Sequence, residues 1–269
     1  MAVLIQSERV VPAWVQASRH LIGRSGQTDR NLVLEIASPG DVTAEDRLVI
    51  KSVDEALRKR WPQLSVQTVA GTIFPNDLYR KDKRPAFYDS YMSAMAHGMK
   101  RGTWGTYAMR MMRRVTRDNK KTFNPLEVII RKLQASKHGR RIQAGYEMGL
   151  VDVEYDLEEG VGGFGCELPL YDPAADRNRS INMPCLSHVS FKLTGDKLDL
   201  TAIYRSHWYG QRALGNLIGL SNLHKFVGAE SGFDCGVLTC IATHAYLDVG
   251  SLGGSKVAKE MLKGFPGPA

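Results

Sequence analysis

Cysteine is scarce in this chain of 269 residues: four occur, at 166, 185, 235 and 240. Their spacing matches neither a zinc knuckle nor the dense pairing of a small secreted domain. Reduced thiols in a cytosolic protein are therefore expected. Long apolar runs are also missing, since no stretch approaches the ~18 uninterrupted apolar residues of a membrane span. Met1 to Trp14 lacks a basic segment followed by an apolar one, so no signal peptide is expected. No internal repeat is found. Acidic residues are the lighter side of the charge balance, 28 against 36 basic, for a net of +8. An excess of this size suits an anionic ligand such as a phosphorylated metabolite, suits nucleic acid, or serves solubility alone.

Hydrophobic residues make up 43% of the chain, enough for one large α/β domain with a full core and no need of a second. Residues 1–30 read as mixed and polar, with Ser25-Gly26-Gln27 breaking any regular pattern. Leu32-Val33-Leu34 mark a strand over Asn31 to Ile36, ending at Ser38-Pro39-Gly40. Thr43 can cap a following helix on which Leu48, Ile50, Val53 and Leu57 recur, up to Trp61-Pro62. Ser65 to Phe74 is apolar but too short to assign as helix or strand. Residues 99–121 are strongly basic, with Trp104 and Tyr107 among the cations. That pattern reads as a single-strand nucleic-acid surface or, preferred here, as a solvated loop carrying a few phosphate-binding residues. Pro125 opens a helix with Leu126, Ile129, Ile130 and Leu133 on one face, stopping near His138-Gly139.

Residues 152–180 are acidic, then rich in Gly and Pro, and read as a long loop insertion. Beyond them Val189, Phe191 and Leu193 alternate, Gly195-Asp196 turns, and Leu198, Leu200 and Ala202 alternate again, predicting a hairpin. Leu217, Leu220, Leu223 and Val227 form a helical stripe ending at Gly232. Val237 to Ile241 is a strand closed by Thr243-His244-Ala245-Tyr246.

The hairpin sets the chemistry. Cys185 precedes its first strand and Arg205-Ser206 follows its second, with the turn midway, so pairing returns the arginine to the cysteine. A guanidinium beside a thiol lowers its pKa, and Arg and Ser together can hold a phosphate. A buried, inert cysteine is the competing interpretation.

Pro184-Cys185, the hairpin, Tyr204-Arg205-Ser206, Asn216 at a helix start and Thr243-His244-Ala245-Tyr246 together resemble the thymidylate synthase superfamily in order and spacing. Upstream, the helix leading to His138-Gly139-Arg140-Arg141 and the segment Gly102-Thr103-Trp104-Gly105 resemble further parts of that pattern. The resemblance covers roughly residues 100–260. It implies one domain over 1–269 with an α/β (α+β) fold, a mixed sheet packed with helices, and a sheet-to-sheet homodimer. It also implies that Cys185 adds to C6 of a pyrimidine nucleoside monophosphate, activating C5 for a one-carbon group from 5,10-methylenetetrahydrofolate. Cys185, Arg205, Tyr204 and His188 form the implied catalytic set. Arg205, Ser206, Arg140 and Arg141 would hold the phosphate, the last two across the dimer. Asn216 would read the base edge, and a plain structural role as its helix cap can hold together with that. His244 and Tyr246 would bond the sugar, unless His244 is a core histidine. Trp104 would line the site, and Arg24 is the candidate phosphate-loop arginine. No metal is implied.

This chain departs from the family's pattern at three places. Leu186 follows the cysteine where the family has histidine, and His188 comes two positions later. Trp208 replaces an aspartate that lies between substrate and folate. No carboxylate occurs between Glu55 and Asp77, where the best register puts the catalytic glutamate near Gln67, and an amide cannot relay protons. These departures fit a specialised relative acting on a modified or ribonucleotide pyrimidine. Folate-independent C5 chemistry and a non-catalytic nucleotide-binding protein are the alternatives. Partners other than nucleotide and a second copy, whether membrane or nucleic acid, are not expected.

Overall fold

The computed structural model describes residues 1–98, 105–115, 120–137, 167–169 and 184–267. In chain order its first half contains β1 (Val3–Ser7), α1 (Val10–Ile22), β2 (Thr28–Ile36), α2 (Ala44–Arg60), α3 (Val66–Ile73), α4 (Asn76–Asp82), α5 (Ala86–Gly98), α6 (Tyr107–Met112), β3 (Arg114–Val115), β4 (Thr122–Phe123) and α7 (Pro125–Ser136). The second half contains β5 (Glu167–Pro169), β6 (Leu186–Thr194), β7 (Lys197–Tyr204), β8 (His207–Trp208), α8 (Leu214–Ser231), β9 (Asp234–Tyr246) and α9 (Ser255–Gly264).

The main sheet has the order β1-β2-β9-β7-β6-β5, with β8 running along the end of β9. It is mixed: β1 is parallel to β2 and β7 to β9, while β2–β9, β6–β7 and β5–β6 are antiparallel. This is an α+β architecture, a mixed sheet packed with helices. Period-two alternation aims Leu32, Leu34, Ile36, Leu198, Leu200, Leu238 and Ala242 into the core, each fully buried. Helix α1 packs beside β1 and β2, and α8 beside β7 and β9. Val33, Ile203, Thr239 and Ile241 on the opposite face are only half-buried, and Leu4 is 57% exposed, so the helices cover one face of the sheet.

The predicted hairpin is β6–β7, paired from Leu186↔Tyr204 to Thr194↔Lys197, with Gly195 at φ +61° in a two-residue turn that favours glycine. Helix α8 ends at Gly232, whose left-handed backbone (φ +78°) closes it. Its stripe is far wider than Leu217, Leu220, Leu223 and Val227, because this helix is buried on nearly all sides. Each of those four leucine and valine side chains contributes about 1.5–3 kcal/mol by burial. Helix α7 starts at Pro125 and buries Leu126, Ile129, Ile130 and Leu133 as predicted; His138-Gly139 lie outside the described residues.

Several expectations are corrected. The amino-terminal segment is not irregular: it supplies β1 and α1, on which Val10, Val11, Trp14, Val15 and Leu21 are buried. Pro12 is tolerated there because the first turn needs no N–H partner. In α2 the Thr43 cap is present as a reciprocal box with Asp46, but the buried stripe is Val49, Val53 and Leu57, and Leu48 is 65% exposed. Residues 65–74 are settled as helix α3, started by a Ser65–Thr68 box, with Asp54 accepting from the Val66 amide at 2.6 Å. Thr243 to Tyr246 do not close a short strand but continue β9. The basic segment is not wholly a solvated loop, since α6 and β3 bury Arg110 and Arg114. Within 152–180, residues 167–169 pair with β6, so that part is a strand. Among the described residues no helix is long and apolar enough to cross a membrane.

Candidate functional site

One end of the sheet gathers the start of β6, the ends of β7 and β9, the start of β2, and β8. The hairpin register does what its spacing predicted. The Arg205 amide donates to the Cys185 carbonyl at 3.0 Å, and Arg205 Nε donates to the Pro184 carbonyl at 2.9 Å. Thr243 Oγ1 donates to the carbonyls of Tyr204 and Arg205, tying the end of β7 to β9. A bulge between Leu186 and His188 interrupts the pairing directly after Cys185, a device that re-aims side chains at strand ends. After the bulge His188 stands opposite Ile203, on the sheet face away from Tyr204.

Two residues that sequence reasoning gave no role hold this corner. The Tyr107 hydroxyl, from α6, accepts the backbone amides of Cys185 at 3.1 Å and Leu186 at 3.3 Å. Burial pushes the Tyr107 phenol up to about 12, so it stays neutral. Arg212 lies on the π-helical turn Tyr209–Ala213. Asp248 Oδ1 accepts from the amides of Gly210 at 2.8 Å and Gln211 at 3.3 Å, and Trp14 Nε1 donates to the Tyr209 carbonyl at 2.9 Å. Those contacts fix the backbone of the turn that carries Arg212.

The thiol itself departs from expectation. Burial raises the Cys185 pKa, and the positive charges of Arg205 and Arg212 lower it without overcoming the burial. Arg205 thus acts in the expected direction, but burial outweighs it and favours the protonated thiol. Half-buried against the core, it is held in position rather than pre-ionised.

Behind Cys185 lies a buried polar group of residues. Tyr204 is fully buried, with its ring stacked on His207 at 3.9 Å between centroids. His207 Nε2 contacts the Asn216 amide nitrogen at 3.1 Å. Asn216 is 5% exposed and is the third residue of α8, whose first turn has no side-chain cap, so its role as a helix cap is corrected.

The remaining predicted residues are placed as follows. Ser206 is half-buried and Arg205 is exposed. Trp208, 46% exposed, meets Tyr246 edge-on with ring centroids 5.6 Å apart. His244 is exposed on β9 opposite Arg30, so it is not a core histidine. Arg24 precedes β2 at the same sheet end, where Thr28 pairs with Tyr246, and its Nε donates to Asp29 at 2.9 Å. Hydrogen bonds from His20 first, then from the Arg30 amide and from Arg24, hold the Asp29 carboxyl down to about 2 against its burial, so Arg24 faces an anion at neutral pH. Trp104, Arg140 and Arg141 lie outside the described residues. Among the described residues no group of three or more His, Cys, Asp or Glu could hold a metal ion. A separate cavity of about 450 Å³, lined by Glu45, Leu48, Met261 and Phe265 among others, lies between α2 and the carboxy-terminal α9 and contains none of these residues.

No family model matches the chain. Among curated proteins, one from Methanosarcina mazei named "Putative thymidylate synthase" is 35% identical over 65 residues, 24% of this chain and 30% of that protein. Proteins with the same name from Methanosarcina acetivorans and Methanocaldococcus jannaschii are each 26% identical. The first match covers 53% of this chain and 52% of the relative, the second 60% and 63%. The chain thus spans 30% to 63% of the length of the curated relatives it matches. At this identity and coverage, the similarity points to a divergent thymidylate synthase-like family.

Proposed function

We propose that this protein is a transferase that adds a one-carbon group, methyl or hydroxymethyl, to C5 of a pyrimidine nucleoside monophosphate. The observation that carries this proposal is the pairing of Arg205 with Cys185 across the hairpin end, with Asn216 buried behind it and Arg212 beside it. Cys185 adds to C6 as thiolate. Burial raises its pKa despite the two arginines, so the proton leaves as the bound substrate tips the balance. Arg205 and Ser206 hold the 5′-phosphate by charge-assisted bonds, with Arg140, Arg141 and Arg24 as further phosphate ligands. Asn216 reads the base, and His244 and Tyr246 take the sugar. Tyr204 supports His207 by stacking, Trp104 lines the site, and His188 is kept as a catalytic candidate from the opposite sheet face.

The donor we propose is 5,10-methylenetetrahydrofolate. Trp208, exposed and edge-on to Tyr246, offers a flat ring a stacking surface, and Arg212 a cation for the donor's carboxylates. When bound, the donor supplies the one-carbon unit. The half-buried apolar face of the sheet, with Val33, Ile203 and Ile241 in register across β2, β9 and β7, supports a sheet-to-sheet homodimer. A cytoplasmic location is part of the same proposal.

A second reading is favoured by the absence of a carboxylate at position 208 and by the carboxylate-free stretch from Ala56 to Asn76: folate-independent exchange or removal of a C5 substituent. Incubation with C5-tritiated UMP, dUMP, CMP and dCMP separates the two. Release only with methylenetetrahydrofolate supports one-carbon transfer, and release without it supports the second reading. Binding without release leaves a nucleotide-binding protein and rejects both.

A further inference from the structure

His207 is 1% exposed, stacked on the Tyr204 ring and 5.1 Å edge-on from the Tyr209 ring. Its Nε2 is 3.1 Å from the Asn216 amide. Its Nδ1 is buried with no hydrogen-bond partner among the described residues. Burial holds the ring neutral, with the imidazole pKa pushed down to about 3. A neutral imidazole has one donor and one acceptor nitrogen, so two arrangements satisfy the contact with Asn216. With the hydrogen on Nδ1, Nε2 accepts from the Asn216 amide NH2, and a donor is left enclosed with nothing to receive it. With the hydrogen on Nε2, the ring donates to the Asn216 carbonyl oxygen, the amide being turned end for end. Only a lone pair is then enclosed. Orphaned buried N–H groups are the rarer kind in folded proteins, which selects the second arrangement.

We infer that His207 is a specificity-determining positioning residue: by donating from Nε2 to the Asn216 oxygen, it turns the Asn216 NH2 toward the nucleotide and selects a 4-oxo pyrimidine over a 4-amino one. This rests on the proposed function, in which Asn216 faces the base. The C4 carbonyl of a uracil-type ring accepts from an NH2, whereas the exocyclic amine of a cytosine-type ring is itself a donor and meets it with like sign. The same orientation serves the covalent step. As the thiolate sulfur bonds to C6, the C5=C6 pair moves to form C4=C5 and the carbonyl pair moves onto O4. An NH2 aimed at that oxygen stabilises the charge where it develops.

Two measurements on the full chain test the inference. In ligand-free protein, a long-range proton–nitrogen correlation spectrum of labelled histidines, with the His207 ring assigned by the signals lost in His207→Gln, should show that ring neutral with its hydrogen on Nε2 from about pH 5 to 8. A hydrogen on Nδ1 of His207, or protonation of the His207 ring in this range, overturns the inference without any nucleotide being needed. In calorimetric titrations, UMP should bind at least about tenfold more tightly than CMP, or dUMP than dCMP. His207→Gln, whose amide can present either end to Asn216, should shrink that ratio to within about threefold while both monophosphates still bind. An unchanged ratio in the variant, or no discrimination in the unsubstituted protein, overturns the inference alone. If no pyrimidine monophosphate binds, the proposed function falls and this inference falls with it.

Discussion

Cys185 sits between two opposed influences, burial that keeps its proton and two arginines that draw it off. Because the pKa is raised, the thiolate fraction is small at neutral pH and grows as pH climbs. Alkylation by iodoacetamide should therefore still be accelerating at pH values above the ordinary thiol pKa of about 8.5. A rate that levels off below pH 7 would contradict the balance described. Replacement by alanine should abolish C5 tritium release while leaving nucleotide affinity within about tenfold, since the covalent bond belongs to turnover and phosphate contacts supply ground-state binding. Undiminished release in Cys185→Ala would remove the nucleophile. The phosphate contacts have their own check. A nucleoside should bind at least roughly a hundredfold more weakly than its monophosphate, each charge-assisted bond contributing about 1.5–3 kcal/mol. Arg205→Lys should not restore what Arg205→Ala loses, because Nε already serves the Pro184 carbonyl and a point charge cannot both hold that bond and grip a phosphate. Equal affinities of uridine and UMP would refute the phosphate site.

At the scale of elements, α3 and α8 cross in close approach. A Cβ added at Gly215 would lie 2.5 Å from Val69 Cβ, and one at Gly219 would lie 2.7 Å from the Ala70 carbonyl oxygen. Gly219→Ala should cost about 1–3 kcal/mol in denaturant unfolding and should weaken nucleotide binding as well, because α8 carries Asn216 at its start. A substitution that leaves stability untouched would show that the two helices separate freely. The hairpin, α2, α7 and α8 were legible because their signals are local: a period of two around Gly195-Asp196, or a stripe every three to four residues. The same kind of stripe runs from Val10 to Leu21, yet the polar run Gln6-Ser7-Glu8-Arg9 obscured it. Within the site, the meeting of Cys185 and Arg205 followed from counting along one hairpin. Tyr107 could not be found that way, since it reaches Cys185 from α6 through tertiary packing alone. The rise in the Cys185 pKa was equally hidden, because a sequence names the charged neighbours of a thiol but not the depth at which it is buried.

For the whole molecule, the uncovered sheet face is the feature with the largest reach. Ile203 and Ile241 are register partners on the parallel strands β7 and β9, and Val33 pairs with Ile241 on the other side. If a second copy covers that face, Ile241→Lys should place a charge in the interface and yield a monomer by light scattering at micromolar concentration, with the unsubstituted chain dimeric. Activity should be lost together with dimerisation, because Arg140 and Arg141 are proposed to act on the partner's phosphate. A fully active monomer would exclude that exchange.

The strand order also dictates when a working corner can exist. Strand β2 touches β1 on one side, but its other neighbour is β9, so Leu32 waits for Ala242 and Thr28 for Tyr246. Among the described strands, the pairing most distant in sequence is the one that joins the two halves of the sheet. During synthesis the early strands and α1 must persist with one sheet edge unpaired until nearly the last strand emerges. Folding should accordingly be slow for the chain's size, limited by closure of its longest loop rather than by its helices. Nascent chains halted before residue 234 should carry an open β2 edge, be prone to aggregation, and depend on chaperones far more than the completed chain.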